Sequence, residues 1–304
     1  MRIGILGNSG SWYCDDIAHA AKVRRHDCTR LEFPRLFGQN GRGKAADWCL
    51  PSDETTLTGQ DAILIRTMPP GSLEQVVFRM DLLARAELTG LRFINSPRSI
   101  ECAVDKFLTT ARLEAAGLPV PPTVVCQDAE TALEAFAQLG GDVVVKPLFG
   151  AEGRGICRVS DPDLAFRTFR TLQRLDAVLY LQQFVPHPGY DTRILVLNGR
   201  VLGGMRRFGD GDFRTNVSRR GRCEGYSPTD SECESAIQAA HAVGTVFAGV
   251  DLLTTSQSHA ESQSSVTQSY VIEVNGVPGW RAFNRVNQTD TAALLIRHLE
   301  DGAC

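Results

Sequence analysis

The chain lacks the features that mark membrane spans, secretion and disulfide scaffolds. Its apolar runs are all shorter than the roughly 18 residues that a membrane-spanning helix needs. The stretch MRIGILGNSG turns polar at Asn8, earlier than the apolar core of a signal peptide does. The nine cysteines are odd in number and form neither a C-x-x-C pair nor a Cys/His metal spacing. We therefore predict a cytoplasmic protein whose thiols are reduced.

A strong charge of either sign is missing as well. The formal net charge of −3 and the isoelectric point near 6.1 give no long-range attraction to nucleic acid or to anionic lipid. We expect no nucleic-acid partner and no membrane partner, and any anion site must be built locally. What the chain does have is length, 304 residues with a 43% hydrophobic share, which is enough for two or three packed domains.

Helix-like and strand-like segments alternate along the chain, which favours the α/β class. Arg2–Leu6 is typical of a buried strand, and apolar residues recur at helical spacing over 73–88. Asn198-Gly199 between two apolar runs predicts a β-hairpin with a type I′ turn. We predict a small open-sheet domain followed by two α+β domains, with the divisions 1–95, 96–180 and 181–304.

Oxygen donors of the kind that bind metals occur on two predicted strands near the end of the chain. In VIEVNGVPGW, Glu273 and Asn275 share one face of a strand because side chains alternate. Asp251 lies among apolar residues in GVDLL, and pairing of the two strands would bring three oxygen ligands together, a set suited to Mg²⁺. Either acid alone is more often a satisfied buried polar group, but the convergence of three donors favours a metal site.

A polar segment separates those two strands in the sequence. Residues 254–269, TTSQSHAESQSSVTQS, show no apolar periodicity. This composition predicts a long mobile hairpin loop or an insertion, not a binding site.

A glycine-rich loop follows a predicted strand in KPLFGAEGRGI. Lys146 leaves the strand, and Gly150, Gly153 and Gly155 would let backbone N–H groups approach an anion. Lys106, at the start of a predicted helix, could add a second cation. A glycine loop alone is more often a plain turn and a lone lysine a surface residue. The Walker pattern is absent, and so is G-x-G-x-x-G after the first strand, which disfavours a dehydrogenase.

Further polar groups follow downstream of the glycine loop. The backbone of the connector Gln182–Val185 could bind an adenine edge, and Asp191 could accept hydrogen bonds from ribose hydroxyls. Alternation puts Arg206 and Arg207 on opposite faces of a strand, so at most one of them should face a site. A solvated sheet face is the alternative for the whole arginine cluster, which comprises Arg193, Arg206, Arg207 and Arg214.

Taken in chain order, these motifs resemble those of the ATP-grasp ligases, specifically the RimK-like branch that adds glutamate to carboxylic acids. The resemblance runs from about residue 95 to residue 300, and an ordered series is more specific than any single motif. Within that branch, RTMPPGSLEQVVFRMDLLARAE, continuing into INSPRSIECAVDK and KPLFGAEGRG, is most similar to the tetrahydromethanopterin α-L-glutamate ligases. The resemblance implies an ATP-grasp fold in which the second and third domains clasp ATP.

The resemblance also implies a role for each matching residue. The ATP phosphates would be bound by two lysines and two glycines, Lys106, Lys146, Gly150 and Gly153. The rest of the nucleotide would be bound by Gln183 and Phe184 at adenine, by Asp191 at ribose, and by Arg214, Thr215 and Asn216 beside it. Magnesium, with two ions implied and manganese as an alternative, would be held by Asp251, Glu273 and Asn275.

The implied reaction has two steps. An acceptor carboxylate attacks the γ-phosphate of ATP to form an acyl phosphate, and an amine then attacks the acyl phosphate through a tetrahedral oxyanion. We expect Arg193 or Arg207 to stabilise that oxyanion. The amine would be L-glutamate, and the acceptor would be a small tetrahydromethanopterin-type coenzyme that ends in a carboxylate.

Two loops of the first domain are candidates for the acceptor site, because open sheets bind ligands at the carboxyl ends of their strands. Trp12 and Tyr13 could stack on a flat ring, and Arg66 could meet an acidic tail. A core tryptophan and a surface arginine are the plainer interpretations. Other acceptors stay open, namely a ribosomal protein C-terminus and a biosynthetic carrier protein. From a different class, a non-catalytic ATP-binding regulatory protein stays open, as does the oligomeric state, a homo-oligomer included.

Overall fold

Three β-sheets, each with helices packed on it, form the described part of the chain. The computed structural model describes residues 1–38, 57, 59–150, 153–209, 211–215, 222–258 and 265–302. Parallel and antiparallel sheets occur together with α-helices throughout these ranges, which confirms the predicted α/β class.

The first sheet is parallel, with the strand order β2-β1-β3-β4. Its strands are β1 (Arg2–Leu6), β2 (Asp27–Leu31), β3 (Ala62–Ile65) and β4 (Arg92–Ile94), and its helices are α1 (Trp12–Val23) and α2 (Leu73–Leu88). Ser72 begins α2 with a capping box, since its hydroxyl accepts from the Gln75 N–H and its own N–H donates to the Gln75 side chain. Because β1 and β3 are neighbours, the loops that follow them lie side by side.

The second sheet is antiparallel, with the order β5-β8-β6-β7. Its elements are β5 (Thr123–Cys126), α5 (Ala129–Gln138), β6 (Val143–Lys146), β7 (Cys157–Val159), α6 (Pro162–Arg174) and β8 (Leu179–Gln183), preceded by α3 (Pro97–Val104) and α4 (Lys106–Ala115). Phe136 of α5 and Phe169 of α6 meet edge to face in the core beneath this sheet, with 6.3 Å between ring centroids.

The third sheet is also antiparallel, with the order β11-β10-β9-β12-β13. Its elements are β9 (Tyr190–Leu197), β10 (Arg200–Phe208), β11 (Cys223–Tyr226), α7 (Asp230–Val243), β12 (Phe247–Ser258) and β13 (Ser265–Asn275), followed by α8 (Arg281–Asn287) and α9 (Thr291–Glu300). Asn198 and Gly199 both have positive φ, 47° and 69°, which confirms the type I′ hairpin prediction.

One core cluster joins the first and third sheets. Trp280, Phe283 and Leu295, from the chain around α8 and α9, pack together with Ile3 and Ile17 of the first sheet and α1. The other face of the third sheet packs on α7. The end of the chain therefore fastens the first sheet to the third.

The polar segment between β12 and β13 is strand over most of its described length. The two strands stay paired as far as Ser258↔Ser265, and Thr254 and Ser269 share a hydrogen bond of 3.0 Å between their hydroxyls. The prediction of a loop over 254–269 was therefore wrong for the described residues, and 259–264 lie outside them. A segment of polar residues can form paired strands without apolar periodicity, because cross-strand pairs between polar side chains also stabilise a sheet.

The described cysteines, Cys14, Cys28, Cys102, Cys126, Cys157, Cys223 and Cys233, are unpaired. Within the described ranges, no helix combines the length and apolar character needed to span a membrane.

Candidate active site

A cleft lies between the second and third sheets. It encloses about 860 Å³, including space open to solvent, and β6, β8, β9, β12 and β13 contribute to its wall. Most predicted site residues line it, namely Lys106, Lys146, Gly150, Gly153, Gln183, Phe184, Asp191, Arg214, Thr215, Asp251 and Glu273. Arg193, Arg207 and Asn275 are not wall residues, and Asn216 lies outside the described residues.

Two lysines line this cleft without an acidic partner among the described residues. Lys146 ends β6, and its Nζ donates to Gln182 Oε1 at 2.6 Å. Lys106 begins α4, and its Nζ donates to Gly150 O at 2.9 Å. Burial lowers the pKa of Lys146 to about 8 and also lowers the pKa of Lys106. Partly desolvated cations of this kind are suited to bind phosphate oxygens.

A chain of hydrogen bonds orients the acceptor of Lys146. Gln182, which is 4% exposed, donates through Nε2 to Thr123 Oγ1 at 3.0 Å and to Tyr180 Oη at 3.4 Å. Tyr180 Oη is in turn 2.8 Å from Thr110 Oγ1 on α4. Because the Gln182 amide is engaged at both ends, its oxygen is directed at Lys146.

Two arginines hold the Asp251 carboxylate. Arg193 donates to its two oxygens at 2.6 and 2.7 Å, and Arg207 donates to it at 2.7 Å. Arg207 also donates to both oxygens of Asp191, which accepts from Thr215 Oγ1 at 2.7 Å. Strand register explains this ion network of two acids and two arginines, because Arg193 pairs with Asp251 and Arg207 with Asp191 across neighbouring strands.

The carboxyl groups of the site have opposite pKa shifts. Burial alone would raise the pKa of Asp251, but attraction to Arg193 and Arg207 outweighs burial and holds this pKa below its usual range. Burial, followed by repulsion from Asp251, raises the pKa of Glu273. Burial would lower the pKa of Arg207, yet its two acidic partners raise it. Glu273 is therefore the less compensated of the two acids.

A β-bulge in β13 places Glu273 opposite Asp251. The register passes from the Asp251↔Glu273 pair to a pair at Val271, so that Ile272 has no partner in β12. Val271 and Val274 both pack in the core beneath α7, although strict alternation would put them on opposite faces. Ile272 and Glu273 consequently both line the cleft.

The oxygen donors fit a magnesium site in part. Asn275 lies opposite Gly249, two residues beyond Glu273, and its Oδ1 accepts from the Val277 N–H at 2.9 Å. Both Asp251 oxygens are bound by arginines, whereas Glu273 forms no ion pair with any described residue. No group of three or more His, Cys, Asp or Glu side chains in the described ranges could hold a metal. A magnesium ion would therefore depend on Glu273, on the Asn275 amide oxygen and on nucleotide phosphates.

An apolar and aromatic surface lines another part of the cleft. Leu253, Ile272, Phe184 and Phe213 contribute to it. The Phe184 and Phe213 rings meet edge to face at 6.3 Å, and the Arg158 guanidinium lies 3.5 Å from the Phe184 ring centroid. Such a surface is suited to a flat heterocycle such as adenine.

The connector after β8 has two of its N–H groups bound within the protein. Gln183 N–H donates to Pro122 O at 2.8 Å, and Phe184 N–H donates to Asp142 O at 3.0 Å. Neither group is available to an adenine edge in this arrangement. Val185, which also lines the cleft, is the next backbone position that could serve.

The remaining arginines of the cluster lie apart from the ion network. Arg206 lies on the opposite face of β10, as alternation predicted, between the rings of Tyr190 and Tyr226 at 4.6 and 4.1 Å. Arg214 lines the cleft and donates to Asp212 at 2.9 and 2.5 Å. Arg207 is thus the only one of the neighbouring Arg206–Arg207 pair that belongs to the ion network.

The residues predicted to bind the acceptor do not have the arrangement of the plainer interpretation, which was a core tryptophan and a surface arginine. Arg66 is 5% exposed and lies between the rings of Tyr13 and Trp280, at 5.1 and 4.5 Å from their centroids. Tyr13 packs edge to face against Trp12 and Trp280. Trp12, which is 37% exposed with the Arg281 guanidinium 5.3 Å from its ring, is the remaining candidate for stacking on a ligand. Arg66 is therefore not a surface arginine.

Comparison with known proteins identifies the family. The RimK-like ATP-grasp domain matches residues 103–299. The chain belongs to the RimK-like ATP-grasp family. It is similar to the tetrahydromethanopterin:α-L-glutamate ligases of Methanosarcina acetivorans, 33% identical with 82% of each chain covered, and of Methanococcus maripaludis, 30% identical with 97% of each chain covered. Its fold is similar to that of the ATP-grasp ligase PsnB complexed with minimal precursor, Mg and ADP, with a TM-score of 0.70 at 20% identity and 99% and 98% of the two chains covered.

Membership in the RimK-like ATP-grasp family confirms the predicted fold and class. ATP-grasp ligases form C–N bonds and use ATP and Mg²⁺, and the cleft residues named above lie within the matched range. The family match does not decide the role of an individual side chain. The assignments to phosphate, adenine, ribose, metal and oxyanion therefore stay predictions.

Sequence reasoning missed several wall residues. Leu253 is two residues after Asp251, so strand alternation could have placed it on the same face. Gln182 was treated only as part of a connector, although its place next to Gln183 at a strand end was a signal. Ile272 could not have been found in this way, because the bulge that turns it into the cleft has no glycine or proline to mark it.

Proposed function

We propose that this ATP-grasp protein adds L-glutamate to a carboxylate acceptor through an acyl phosphate. The observation that carries the proposal is the pair Lys106 and Lys146, two half-buried ammonium groups that have no ion-pair partner among the described residues and share a cleft with Glu273. A triply charged phosphate chain would supply the missing negative charge. The names of the curated relatives support glutamate as the amine.

In this proposal the two lysines bind the phosphates and offset repulsion during the first step. A carboxylate and a phosphate oxygen about 4 Å apart repel by about 4 kcal/mol at an effective dielectric near 20, and several such pairs are present. Gly150 and Gly153, with φ of 157° and 70°, allow the loop backbone to approach the phosphates, since a side chain would be strained there. Bound magnesium would supply further positive charge, with Glu273 as the candidate ligand that lines the cleft and the Asn275 amide oxygen two residues beyond it.

In this proposal the ion network of Asp191, Arg193, Arg207 and Asp251 would act in the second step, in which the amine attacks the acyl phosphate. Arg193 and Arg207 bind their acids through Nε and Nη2, which leaves Nη1 of each outside these contacts. A tetrahedral oxyanion could accept from one of these groups, in a place already desolvated. Asp251 fixes the positions of both guanidinium groups.

The acceptor that we propose is a tetrahydromethanopterin-type coenzyme. Relatives that carry this name match most of the chain, the N-terminal sheet included in the second of them. A peptide acceptor is the second candidate, because PsnB was solved with a minimal precursor. A non-catalytic ATP-binding regulator would bind the nucleotide without turnover.

One experiment separates these candidates. The protein is incubated with ATP, Mg²⁺, L-glutamate and either tetrahydromethanopterin or a ribosomal protein with an acidic C-terminus, and the products are analysed by mass spectrometry. A glutamyl mass added to the coenzyme supports the proposal. Glutamylation of the protein alone would replace the acceptor but keep the ligase, and ATP binding without any ADP release would favour the regulator.

A further inference from the structure

Arg66 carries a buried charge for which the described part of the chain supplies no ion-pair partner. It follows β3 in the first sheet, and its Nη2 donates to Pro278 O at 2.8 Å. Its Nε is buried without a hydrogen-bond partner, and no described carboxylate forms an ion pair with it. Burial lowers the pKa of Arg66 to about 10. An unpaired buried charge is unfavourable, so its retention points to a function.

Aromatic rings surround this guanidinium but do not neutralise it. Tyr13 and Trp280 present their rings to Arg66, which gives cation–π attraction. A Cβ on Gly279 would lie 2.5 Å from Tyr13 Oη, so glycine is required for this close approach. The cage orients Arg66 and leaves its need for an anion unmet.

The start of α1 adds further donors beside Arg66. Helix α1 has twelve residues, and its N-cap residue Ser11 makes no side-chain capping hydrogen bond. Tyr13, whose ring packs on Arg66, is the second residue of that helix, and a Cβ on Gly7 would lie 3.1 Å from Arg66 Cβ. The N–H groups of Cys14 and Asp15 already donate to Ser11 O at 3.1 Å each, but those of Trp12 and Tyr13 have no partner among the described residues. These two N–H groups and the guanidinium, joined by the Tyr13 ring, can both attract an anion.

This place adjoins the ion network through the segment after β13. Pro278, whose carbonyl accepts from Arg66, has its Cβ 3.0 Å from where a Cβ on Gly249 would lie. Arg193 Cδ lies 3.5 Å from the same point. Pro278 therefore lies between Arg66 and the Arg193 side chain of the ion network.

We propose that Arg66, together with the Trp12 and Tyr13 N–H groups at the start of α1, binds a carboxylate of the acceptor substrate beside the Pro278 segment. The identity of that ligand as the acceptor rests on the proposed function, whereas the anion site itself does not. The alternative is a structural brace, in which Arg66 only ties the first sheet to the Pro278 carbonyl.

The kinetic test compares Arg66→Met with Arg92→Met. Arg92 is a matched control, because it also donates to backbone carbonyls, those of Asp61 and Leu299, but lies at the opposite end of the first sheet. We expect Arg66→Met to raise KM for tetrahydromethanopterin about tenfold or more, with KM for ATP changed less than about twofold. Arg66→Lys, which keeps the charge, should lie between the wild type and Arg66→Met. An equal rise in both KM values would identify a brace and overturn the proposal.

A binding test needs no turnover. Glutarate is titrated at constant ionic strength against chloride, and tryptophan fluorescence reports on Trp280, which packs on Arg66, and on Trp12, which packs on Tyr13. A saturable change in the wild type and in Arg92→Met, lost in Arg66→Met and weakened in Arg66→Lys, supports the site. The same titration curve in all four proteins overturns it, and if Arg66→Met does not fold, Arg66→Lys decides. Arg66-dependent glutarate binding in a protein that never releases ADP would keep the anion site and remove the ligase function.

Discussion

At the scale of single residues, the cleft separates cations that are free to bind a ligand from cations that already have partners. Among the described residues, Lys106 and Lys146 have only neutral oxygen acceptors, while Arg193 and Arg207 are bound to carboxylates. Phosphate should therefore bind at the lysines first, since no ion pair has to be broken there. The arginines can act only through their remaining N–H groups or after a rearrangement.

Lys146→Ala should weaken ATP binding by about 1.5 to 3 kcal/mol, the usual contribution of a charge-assisted hydrogen bond. Isothermal titration calorimetry measures this change. Lys22→Ala is the matched control, because Lys22 is exposed in the last turn of α1 and should have no effect. Unchanged ATP affinity in Lys146→Ala would mean that the lysine serves only the structure.

ATP affinity should fall as pH rises through about 8. The pKa of Lys146 is lowered to about 8 by burial, so its ammonium form is present below that pH and is lost above it. Because anionic phosphate favours the protonated lysine, affinity should drop by up to about tenfold per pH unit above this pKa. Titrations between about pH 6.5 and about pH 9.5 test this, and Lys146→Arg, which stays charged, should flatten most of the slope. An equally steep slope in Lys146→Arg would assign the titration to another group.

The two acids of the site should respond oppositely to neutralisation. Glu273→Gln removes a half-buried carboxylate that has no ion-pair partner among the described residues, so stability should not fall. Turnover should be abolished, because Glu273 is the proposed magnesium ligand in the cleft. Asp251→Asn leaves the largely buried Arg193 without an acidic partner among the described residues, while Arg207 keeps Asp191, and should lower the free energy of unfolding by about 3 to 5 kcal/mol. Urea denaturation of the two variants gives the comparison. Equal stabilities would show that the arginines do not depend on Asp251.

At the scale of secondary-structure elements, strands β6 and β8 act together to present Lys146. Gln182 on β8 holds the lysine from the neighbouring strand, and its amide is fixed by Thr123 and Tyr180. Pairing between these strands places Gln182 opposite Val144, two residues before Lys146. The position of the ammonium group is thus a property of the sheet and not of the glycine loop alone.

Gln182→Glu should test this arrangement with little change in shape. The new carboxylate would lie where Oε1 now accepts from Lys146 at 2.6 Å, so it would compete with phosphate for the ammonium group. We expect ATP to bind about tenfold more weakly near neutral pH. Because an adjacent anion raises a lysine pKa, the pH-dependent loss of ATP affinity should begin at a pH above 8. Gln138→Glu, at an exposed position of α5 outside the cleft wall, is the control for added charge. Equal effects of the two substitutions would contradict a specific role for Gln182.

Element patterns in the sequence predicted the parts of the site that depend on local spacing. The strand that carries Glu273, the Asn198-Gly199 hairpin and the opposite faces of Arg206 and Arg207 follow from alternation and turn chemistry. The bulge at Ile272 did not follow, since an extra residue in a strand is set by packing on both sides. One unpaired residue changes which side chains line the cleft.

At the scale of the whole molecule, the sequence did not predict which distant segments of the chain lie in contact. Arg193 and Asp251 are 58 positions apart in sequence, and Arg66 and Pro278 are 212 apart. Such contacts depend on strand order and on how the first and third sheets pack, which spacing along the chain does not encode. The sequence thus suggested Arg66 as an anion-binding residue but could not show that it lies buried between two aromatic rings.

Asn95 is the residue where this packing can be tested. It follows β4, is 1% exposed, and its Nδ2 donates to Phe247 O and Gly276 O at 2.6 Å each. Its Oδ1 accepts from the N–H groups of Val246 and Phe247 at 2.7 Å each. One amide side chain thus joins the first sheet to the starts of β12 and of the segment after β13.

Asn95→Ala should lower the free energy of unfolding by about 3 to 5 kcal/mol, because several buried backbone groups lose their partner at about 1 to 3 kcal/mol each. Asn95→Asp keeps the size and both accepted hydrogen bonds but turns a carboxylate toward the carbonyls of Phe247 and Gly276. Its buried carboxyl group should have a raised pKa, so its stability relative to the wild type should recover as pH falls and the protonated group donates again. Denaturant unfolding at neutral and at mildly acidic pH measures both effects. Wild-type stability in Asn95→Ala, or no recovery of Asn95→Asp in acid, would show that the two sheets are held by the shared apolar core alone.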